Sequence, residues 1–143
     1  MHGIIVVGVD GSDTARRAAR AALRLAAAVE APLHVVSAYG SDRAEIAGSG
    51  SDQFLISDAD LAAKTAQSIA ADLAHDQDGV RIVAAAVRGR PAEALIRYAA
   101  DSSASLIVVG NRRMQGIGRV LGSVANSVAH NAPCDVLIAK TDE

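Results

Sequence analysis

The sequence predicts an α/β fold with one doubly wound parallel sheet, and three observations support this prediction. Short runs rich in β-branched residues alternate with longer segments in which apolar residues recur at helical spacing. The short runs are apolar at nearly every position, as expected of strands that are covered on both faces. The 143 residues show no internal repeat or shift of composition, so we expect a single domain over residues 1–143 with helices on both faces of the sheet.

The first strand and helix are predicted at the start of the chain. Residues 3–9, GIIVVGV, form a continuous apolar run. The next residues, DGSDT, combine a turn with a helix start, at which Ser12 or Thr14 can act as the N-cap. From Ala15 to about Val29, small apolar residues recur on one side and arginines on the other. The small side chains predict a helix that lies close to the sheet.

The middle of the chain predicts two further strands and one helix. Residues 33–39, LHVVSAY, and residues 80–87, VRIVAAAV, have the composition of buried strands. Residues 40–56 are rich in glycine and serine and are predicted to form a loop. Ser57-x-x-Asp60 is a variant of the capping box and predicts the start of the second helix.

The last part of the chain completes the alternation. Pro91, which suits the first turn of a helix, opens the third helix. Residues 105–110, SLIVVG, predict the fourth strand, and residues 123 to about 131 predict a short helix that ends before Pro133. The fifth strand is predicted over residues 135–140, DVLIAK. Five strands and four helices are therefore expected.

Composition excludes several classes of function. The formal net charge is −2 with the basic residues spread along the chain, and aromatic residues make up 2%, which argues against binding to nucleic acids or to membrane surfaces. The single cysteine permits no intrachain disulfide. The first apolar run ends at Asp10, too early for a membrane span or a signal peptide. We expect a soluble, cytoplasmic protein.

Two strand ends carry the residues that suggest a binding site. In open α/β sheets, ligands bind beyond the carboxyl ends of the strands, where the strand order reverses. Asp10-Gly11-Ser12 follow the first strand, and a long glycine-rich stretch, residues 110–122, follows the fourth. We therefore expect the site to lie between these two turns.

The stretch from residue 110 to residue 122 has two interpretations. It contains Gly110, Gly116, Gly118 and Gly122, together with Arg112, Arg113 and Arg119. Glycines let a backbone approach a ligand closely, and the helix that opens at Gly122-Ser123 presents its positive end to an anion. These features indicate a phosphate cradle, whereas the alternative is a long turn whose arginines are solvated.

Better-known nucleotide and phosphate motifs do not fit. The chain has no G-x-x-x-x-G-K-[ST] sequence, and Gly116-x-Gly118-x-x-x-Gly122 follows the fourth strand rather than the first. The third strand ends in Val87-Arg88-Gly89, without the aspartate of a phosphoacceptor domain. The few aromatic residues do not suggest a flavin site. No spacing of histidine, cysteine and acidic residues indicates a metal site or a catalytic set.

Four segments together resemble the universal stress protein family over nearly the whole chain. They are VVGVDGSDTARRAARAA, LHVVSAY, RGRPAEALIRYA and SLIVVGNRRMQGIGRVLGSVANSVAHNAPCDVLIAKT. The resemblance implies a five-stranded parallel sheet of order 3-2-1-4-5 and, in most members, a homodimer. It also implies a stress-response protein that binds ATP, alone or with magnesium, or cyclic AMP. The family includes members that bind no nucleotide.

The resemblance assigns phosphate-binding residues. Nucleotide-binding members carry G-x2-G-x9-G-[ST], in which Gly110 matches the first glycine and Gly122-Ser123 match the closing pair. The second glycine falls on Arg113, and the span to Gly122 is one residue short. Val124 and Ala125 match positions whose backbone helps to hold phosphate. Arg113, with the neighbouring Arg112, either blocks the phosphate or donates hydrogen bonds to it, and we favour donation.

The resemblance also assigns residues near the nucleoside. Asp10 matches an aspartate that contacts the nucleoside, and Val9 matches the residue before it. Val35 matches a residue that lines the adenine.

Two functional alternatives remain beside nucleotide binding. One is a homodimeric interaction module that binds no nucleotide, and the other is a slow ATPase, for which only Asp10 and Asp13 offer a base. We expect no catalytic residues and at most weak ATP hydrolysis. In the resembling family the last strand lies at the sheet edge, which predicts a dimer through Val136, Leu137 and Ile138.

Overall fold

The structure is a computed structural model that describes residues 3–40, 44–47, 54–111 and 122–141. Within these ranges the strands are β1 (Ile5–Val9), β2 (Leu33–Tyr39), β3 (Ala44–Ala47), β4 (Phe54–Ser57), β5 (Ile82–Arg88), β6 (Leu106–Gly110) and β7 (Asp135–Ala139). The helices are α1 (Asp13–Val29), α2 (Asp58–Asp76), α3 (Pro91–Ser102) and α4 (Ser123–Asn131).

Five of the strands form a parallel sheet of order β5-β2-β1-β6-β7. When these five strands alone are numbered along the chain, the order is 3-2-1-4-5, which confirms the predicted fold class. The observed helices begin and end close to the predicted positions, and α3 starts at Pro91 as expected. The third strand of the sheet begins and ends slightly later than predicted, at Ile82 and Arg88.

The prediction of a loop over residues 40–56 is wrong for residues 44–47 and 54–56, which belong to strands. β3 and β4 pair as an antiparallel two-stranded sheet, with Ala44 opposite Ser57 and Ala47 opposite Phe54. Each strand has only four residues, so neither shows a clear periodicity. Each strand finds its backbone hydrogen-bond partners in the other strand. The surrounding glycines and serines favour a loop and so obscure the strand pattern in the sequence.

The two faces of the sheet carry separate apolar layers. Buried residues of α1 and α2 pack on one face, and buried residues of α3 and α4 pack on the other. Gly8 in β1 permits the close approach of α3, because a Cβ atom there would lie 2.5 Å from Cδ1 of Leu95. This arrangement explains the apolar, glycine-interrupted composition of the first strand.

Candidate functional site

The strand order reverses between β1 and β6, which lie side by side in the centre of the sheet. Val7 is in register with Val108, so the carboxyl ends of both strands, Val9 and Gly110, meet at one edge. From this edge the chain enters α1 on one face of the sheet and α4 on the other. In open α/β sheets, such a reversal of strand order is the place at which a ligand crevice forms. The structure therefore places Asp10-Gly11-Ser12 and Gly110, the first residue of the second stretch, at the same edge of the sheet.

A compact turn follows β1. Asp10 is exposed, and its Oδ1 accepts hydrogen bonds from the backbone N–H of Ser12 (2.9 Å) and from the Ser12 hydroxyl (2.6 Å). Ser12 is the N-cap of α1, and its Oγ accepts a hydrogen bond from the Ala15 N–H at 3.2 Å. Because both bonds to Asp10 use Oδ1, Oδ2 can accept a hydrogen bond from a ligand. Val9, which precedes this turn, is 8% exposed.

The start of α4 is organised differently. Its N-cap is Gly122, which has no side chain to offer the helix. The first helical hydrogen bond is donated by the Asn126 N–H to the Gly122 carbonyl at 2.9 Å. The amides of Ser123, Val124 and Ala125 precede that bond, so no turn of the helix satisfies them. These N–H groups, at the positive end of the helix, form a donor set suited to phosphate.

The Asn111 side chain holds the end of β6 against the end of the chain's last strand. Its Oδ1 accepts hydrogen bonds from the Thr141 backbone N–H (2.9 Å) and from the Thr141 hydroxyl (3.1 Å). The Asn111 carbonyl accepts a hydrogen bond from the Gly122 N–H at 3.3 Å. A direct backbone hydrogen bond thus joins residues 111 and 122, which stand at the two ends of the segment 112–121.

The packing around Gly110 is close. A Cβ atom on Gly110 would lie 3.3 Å from Cγ2 of Thr141 and 3.7 Å from Cβ of Ala18. The small residue at this position therefore lets β6, α1 and Thr141 pack together without displacement. Gly110 is the last residue of β6, at the carboxyl edge of the sheet.

The structure does not bring the Val35 side chain to the crevice. Val35 lies inside β2, in register with Val7 on one side and Ala84 on the other, and it is 0% exposed. The residue of β2 in register with Val9 is Ser37, two positions further on. An interior strand of a parallel sheet is covered on both faces, which encloses the Val35 side chain in the core. The assignment of Val35 to the adenine therefore remains a prediction without side-chain access in this structure.

Two predicted site residues, Arg112 and Arg113, lie outside the described residues. Their proposed contact with phosphate stays a prediction.

The described residues show no activated group in the crevice. Among them, histidine, cysteine, aspartate and glutamate side chains form no group of three or more that could hold a metal ion. Burial raises the pKa of the Cys134 thiol, with a further contribution from the charge of Asp135, and a raised pKa disfavours a reactive thiolate.

Within the described ranges, no helix is both long enough and apolar enough to cross a membrane. The geometry supports binding through backbone amides and a carboxylate.

Sequence reasoning missed Asn111 and Thr141. They are 30 positions apart. Both lie in the last of the segments that resemble the family, but no motif assigns a role to either residue. The available signal was the polar residue directly after the apolar run that ends at Gly110, a place where side chains reach the carboxyl edge of the sheet.

Comparisons with known proteins agree with this architecture. A model of the universal stress protein family matches residues 1–140. A universal stress protein of Mycobacterium tuberculosis is 34% identical over 144 residues, covering 96% of this chain and 95% of the relative. A universal stress protein of Methanocaldococcus jannaschii is 32% identical over 144 residues, covering 95% of this chain and 81% of the relative.

Two solved structures are informative about ligands. A universal stress protein in complex with cAMP is 32% identical, with a TM-score of 0.76, over 99% of this chain and 98% of the other. A universal stress protein of Archaeoglobus fulgidus in complex with dAMP is 26% identical, with a TM-score of 0.70, over 96% of this chain and 97% of the other.

Proposed function

This chain belongs to the universal stress protein family, and from that premise we propose that it binds an adenine nucleotide in the crevice between β1 and β6. One observation carries the proposal: among the described residues, no side chain caps the amides at the start of α4, at the place where the strand order reverses. A ligand with a phosphate group would satisfy them. Similar structures hold cAMP and dAMP, which supports an adenine nucleotide as the ligand.

The residues divide into a phosphate side and a nucleoside side. On the phosphate side, Gly122 and the amides of Ser123, Val124 and Ala125 receive the phosphate, and Gly110 allows close packing at the edge. Arg112 and Arg113 donate charged hydrogen bonds from the adjoining segment.

On the nucleoside side, Asp10 is an exposed carboxylate whose Oδ1 is already held by Ser12. A carboxylate held in this way accepts a hydrogen bond from a ligand without losing its own orientation. Val9, at the end of β1, is the apolar residue of this side. The family resemblance also assigns Val35 to the adenine, but its side chain is enclosed in the core. ATP, with or without magnesium, and cyclic AMP both present the required adenosine and phosphate groups.

We propose binding without substantial turnover. Of the two candidate bases, Asp10 accepts hydrogen bonds from Ser12 through Oδ1, and Asp13 lies in the first turn of α1. General-base catalysis requires a base that is placed on an attacking group. We therefore expect ATP hydrolysis far below the usual enzymatic range of about 1 to 1000 per second.

Calorimetry with ATP and with cyclic AMP tests the binding proposal. We expect the wild-type protein to bind at least one of them, and Arg113→Ala and Arg113→Gly to bind roughly ten- to a hundred-fold more weakly, because a charged hydrogen bond contributes about 1.5 to 3 kcal/mol. Arg24→Ala, which removes an exposed arginine of α1, is the matched control and should bind as the wild type does.

Two outcomes would contradict parts of this proposal. Tighter binding by Arg113→Gly would mean that the arginine blocks the phosphate. If the wild type binds neither nucleotide, and mass spectrometry of freshly purified protein finds no released nucleotide, the interaction module becomes the better description of the protein.

We further propose that two copies associate through β7. β7 is an edge strand of the five-stranded sheet. Its Leu137 side chain is 40% exposed, whereas Val136 and Ile138 pack toward α4. An apolar edge strand favours pairing with a second copy. Leu137→Asp should convert a dimer to a monomer in light scattering, whereas Leu61→Asp, at a 49% exposed leucine of α2, should leave the dimer intact. A wild-type monomer at micromolar concentration would contradict this proposal.

A further inference from the structure

Two hydrogen-bond donors of Thr141 fix the orientation of the Asn111 side chain, because both need its amide oxygen as the acceptor. The Thr141 backbone N–H can only donate a hydrogen bond, so the Asn111 atom that faces it at 2.9 Å must be the amide oxygen. The Thr141 hydroxyl donates to the same oxygen at 3.1 Å. Thr141 is 2% exposed, which means that water cannot easily replace the Asn111 oxygen. We refer to these two hydrogen bonds as the Asn111–Thr141 clasp.

The clasp is connected to the phosphate side of the crevice through the backbone. The Asn111 N–H donates to the Ala139 carbonyl at 3.0 Å, and the Gly122 N–H donates to the Asn111 carbonyl at 3.3 Å. Gly122 in turn accepts the first helical hydrogen bond of α4. The position of the first α4 amides therefore depends on a residue that is itself bound to the end of β7.

The clasp is connected to the nucleoside side through α1. Nη1 of Arg17 donates a hydrogen bond to the Thr141 carbonyl at 2.8 Å. Arg17 lies in the first turns of α1, whose N-cap is Ser12, and Ser12 donates to Asp10. Hydrogen bonds, joined by the backbone of α1 and by Thr141 and Asn111, thus connect Asp10 to the N-cap of α4.

We propose that Asn111 is a positioning residue that sets the separation between Asp10 and the α4 amides, and so determines how well the crevice fits an adenine nucleotide. The inference rests on the proposed function. An asparagine combines the required acceptor oxygen with a neutral side chain. Aspartate would accept the same two hydrogen bonds but would place a negative charge beside the phosphate, and alanine would leave two buried donors of Thr141 without an acceptor.

These differences define the variants. Asn111→Ala removes the clasp, whereas Asn111→Asp keeps its hydrogen bonds and adds charge. Thr141→Val removes only the hydroxyl donor, keeps the backbone donor, and conserves shape, so it remains testable if Asn111→Ala does not fold. Asn131→Ala is the matched control, because the Asn131 side chain donates within the last turn of α4, to the Ser127 carbonyl at 2.9 Å.

Two measurements are made on each variant: hydrogen exchange of the Gly122 amide in the ligand-free protein by NMR, and ATP and cyclic AMP affinity by calorimetry. For Asn111→Ala we expect roughly tenfold faster exchange and roughly tenfold weaker binding. Thr141→Val should show smaller changes in the same directions. Asn111→Asp should keep the slow exchange but bind more weakly, and Asn131→Ala should match the wild type in both measurements.

The two readouts separate the clasp from the proposed function. Unchanged Gly122 exchange in Asn111→Ala would overturn the inference whether or not nucleotide binds, as would faster exchange with undiminished affinity. If Asn111→Ala does not fold, Thr141→Val decides by the same two comparisons. If the wild type binds neither nucleotide, the proposed function fails and the assigned role in nucleotide fit fails with it, while faster exchange in Asn111→Ala would still establish the clasp as the anchor of α4.

Discussion

The starts of α1 and α4 lie at the same edge of the sheet, after neighbouring strands, yet they are built in opposite ways. At α1, the Ser12 side chain accepts a hydrogen bond from the Ala15 amide and donates one to Asp10, so the turn satisfies itself. At α4, the N-cap is Gly122, which offers no side chain, and the anchor comes from Asn111. A serine N-cap satisfies an amide of its own helix and so contributes stability, whereas a glycine N-cap leaves the first amides without a hydrogen bond from its side chain.

The starts of α1 and α4 also differ in the sequence separation between the residues whose hydrogen bonds stabilise them. The hydrogen bonds of the α1 turn join residues two or three positions apart. Asn111, which holds the start of α4, is bound to Thr141, 30 positions away. The first arrangement forms whenever the turn forms, while the second requires β6 and β7 to be aligned in the sheet.

The largest expected effect comes from making α4 resemble α1. Gly122→Ser should lower nucleotide affinity roughly ten- to a hundred-fold, because the new hydroxyl would accept hydrogen bonds from the α4 amides and compete with the phosphate. Gly122 has φ −61° and ψ 153°, a conformation open to any residue. Calorimetry with ATP and cyclic AMP measures the loss.

Gly122→Ala separates capping from crowding. It adds the same Cβ atom without a hydroxyl, so it should bind more tightly than Gly122→Ser. Equal losses in the two variants would show that the Cβ atom, rather than a cap, excludes the phosphate, and would break the comparison between the two helix starts.

An intermediate effect is expected from removing the cap of α1. Ser12→Ala should lower the free energy of unfolding by about 1 kcal/mol, because the Ala15 amide loses its acceptor. Ser123→Ala, at the exposed first residue of α4, should change it by less than about 0.5 kcal/mol. Urea unfolding of both variants compares them. Similar losses would mean that the two helix starts contribute alike to stability.

The smallest effect concerns pH and a pair of residues far from both helix starts. Nδ1 of His34 lies 2.6 Å from the Tyr98 hydroxyl, near the amino end of β2. Burial, and secondarily the charge of Arg81, lowers the pKa of His34 below its ordinary value of about 6.5. The folded protein therefore binds fewer protons than the unfolded chain between the lowered pKa and about 6.5, so stability should fall as the pH decreases through that window.

Urea unfolding at several pH values measures this dependence, and His34→Gln should flatten it. Since His34 supports neither helix start, acid should accelerate amide exchange in the first turns of α1 and α4 to the same extent. A selective effect on one of them would show that a different titrating group controls that turn.

Much of the fold could be predicted because its signals are local. The buried runs that became β1, β2 and β6, the Ser12 cap and Pro91 at the start of α3 each act over a few residues. The hairpin of β3 and β4 could not be predicted in the same way, because its four-residue strands are stabilised by each other and not by their own periodicity.

The alternation of strands and helices, the family resemblance and the two candidate stretches after β1 and β6 could all be read from the sequence. The enclosure of the Val35 side chain in the core and the contact between Asn111 and Thr141 became visible in the folded protein alone. The difference arises from the sequence separation between the interacting residues. Apolar periodicity and helix capping depend on residues within one or two turns of each other, whereas the burial of a strand residue and the pairing of two distant polar groups exist only after the strands have aligned and the helices have covered both faces of the sheet.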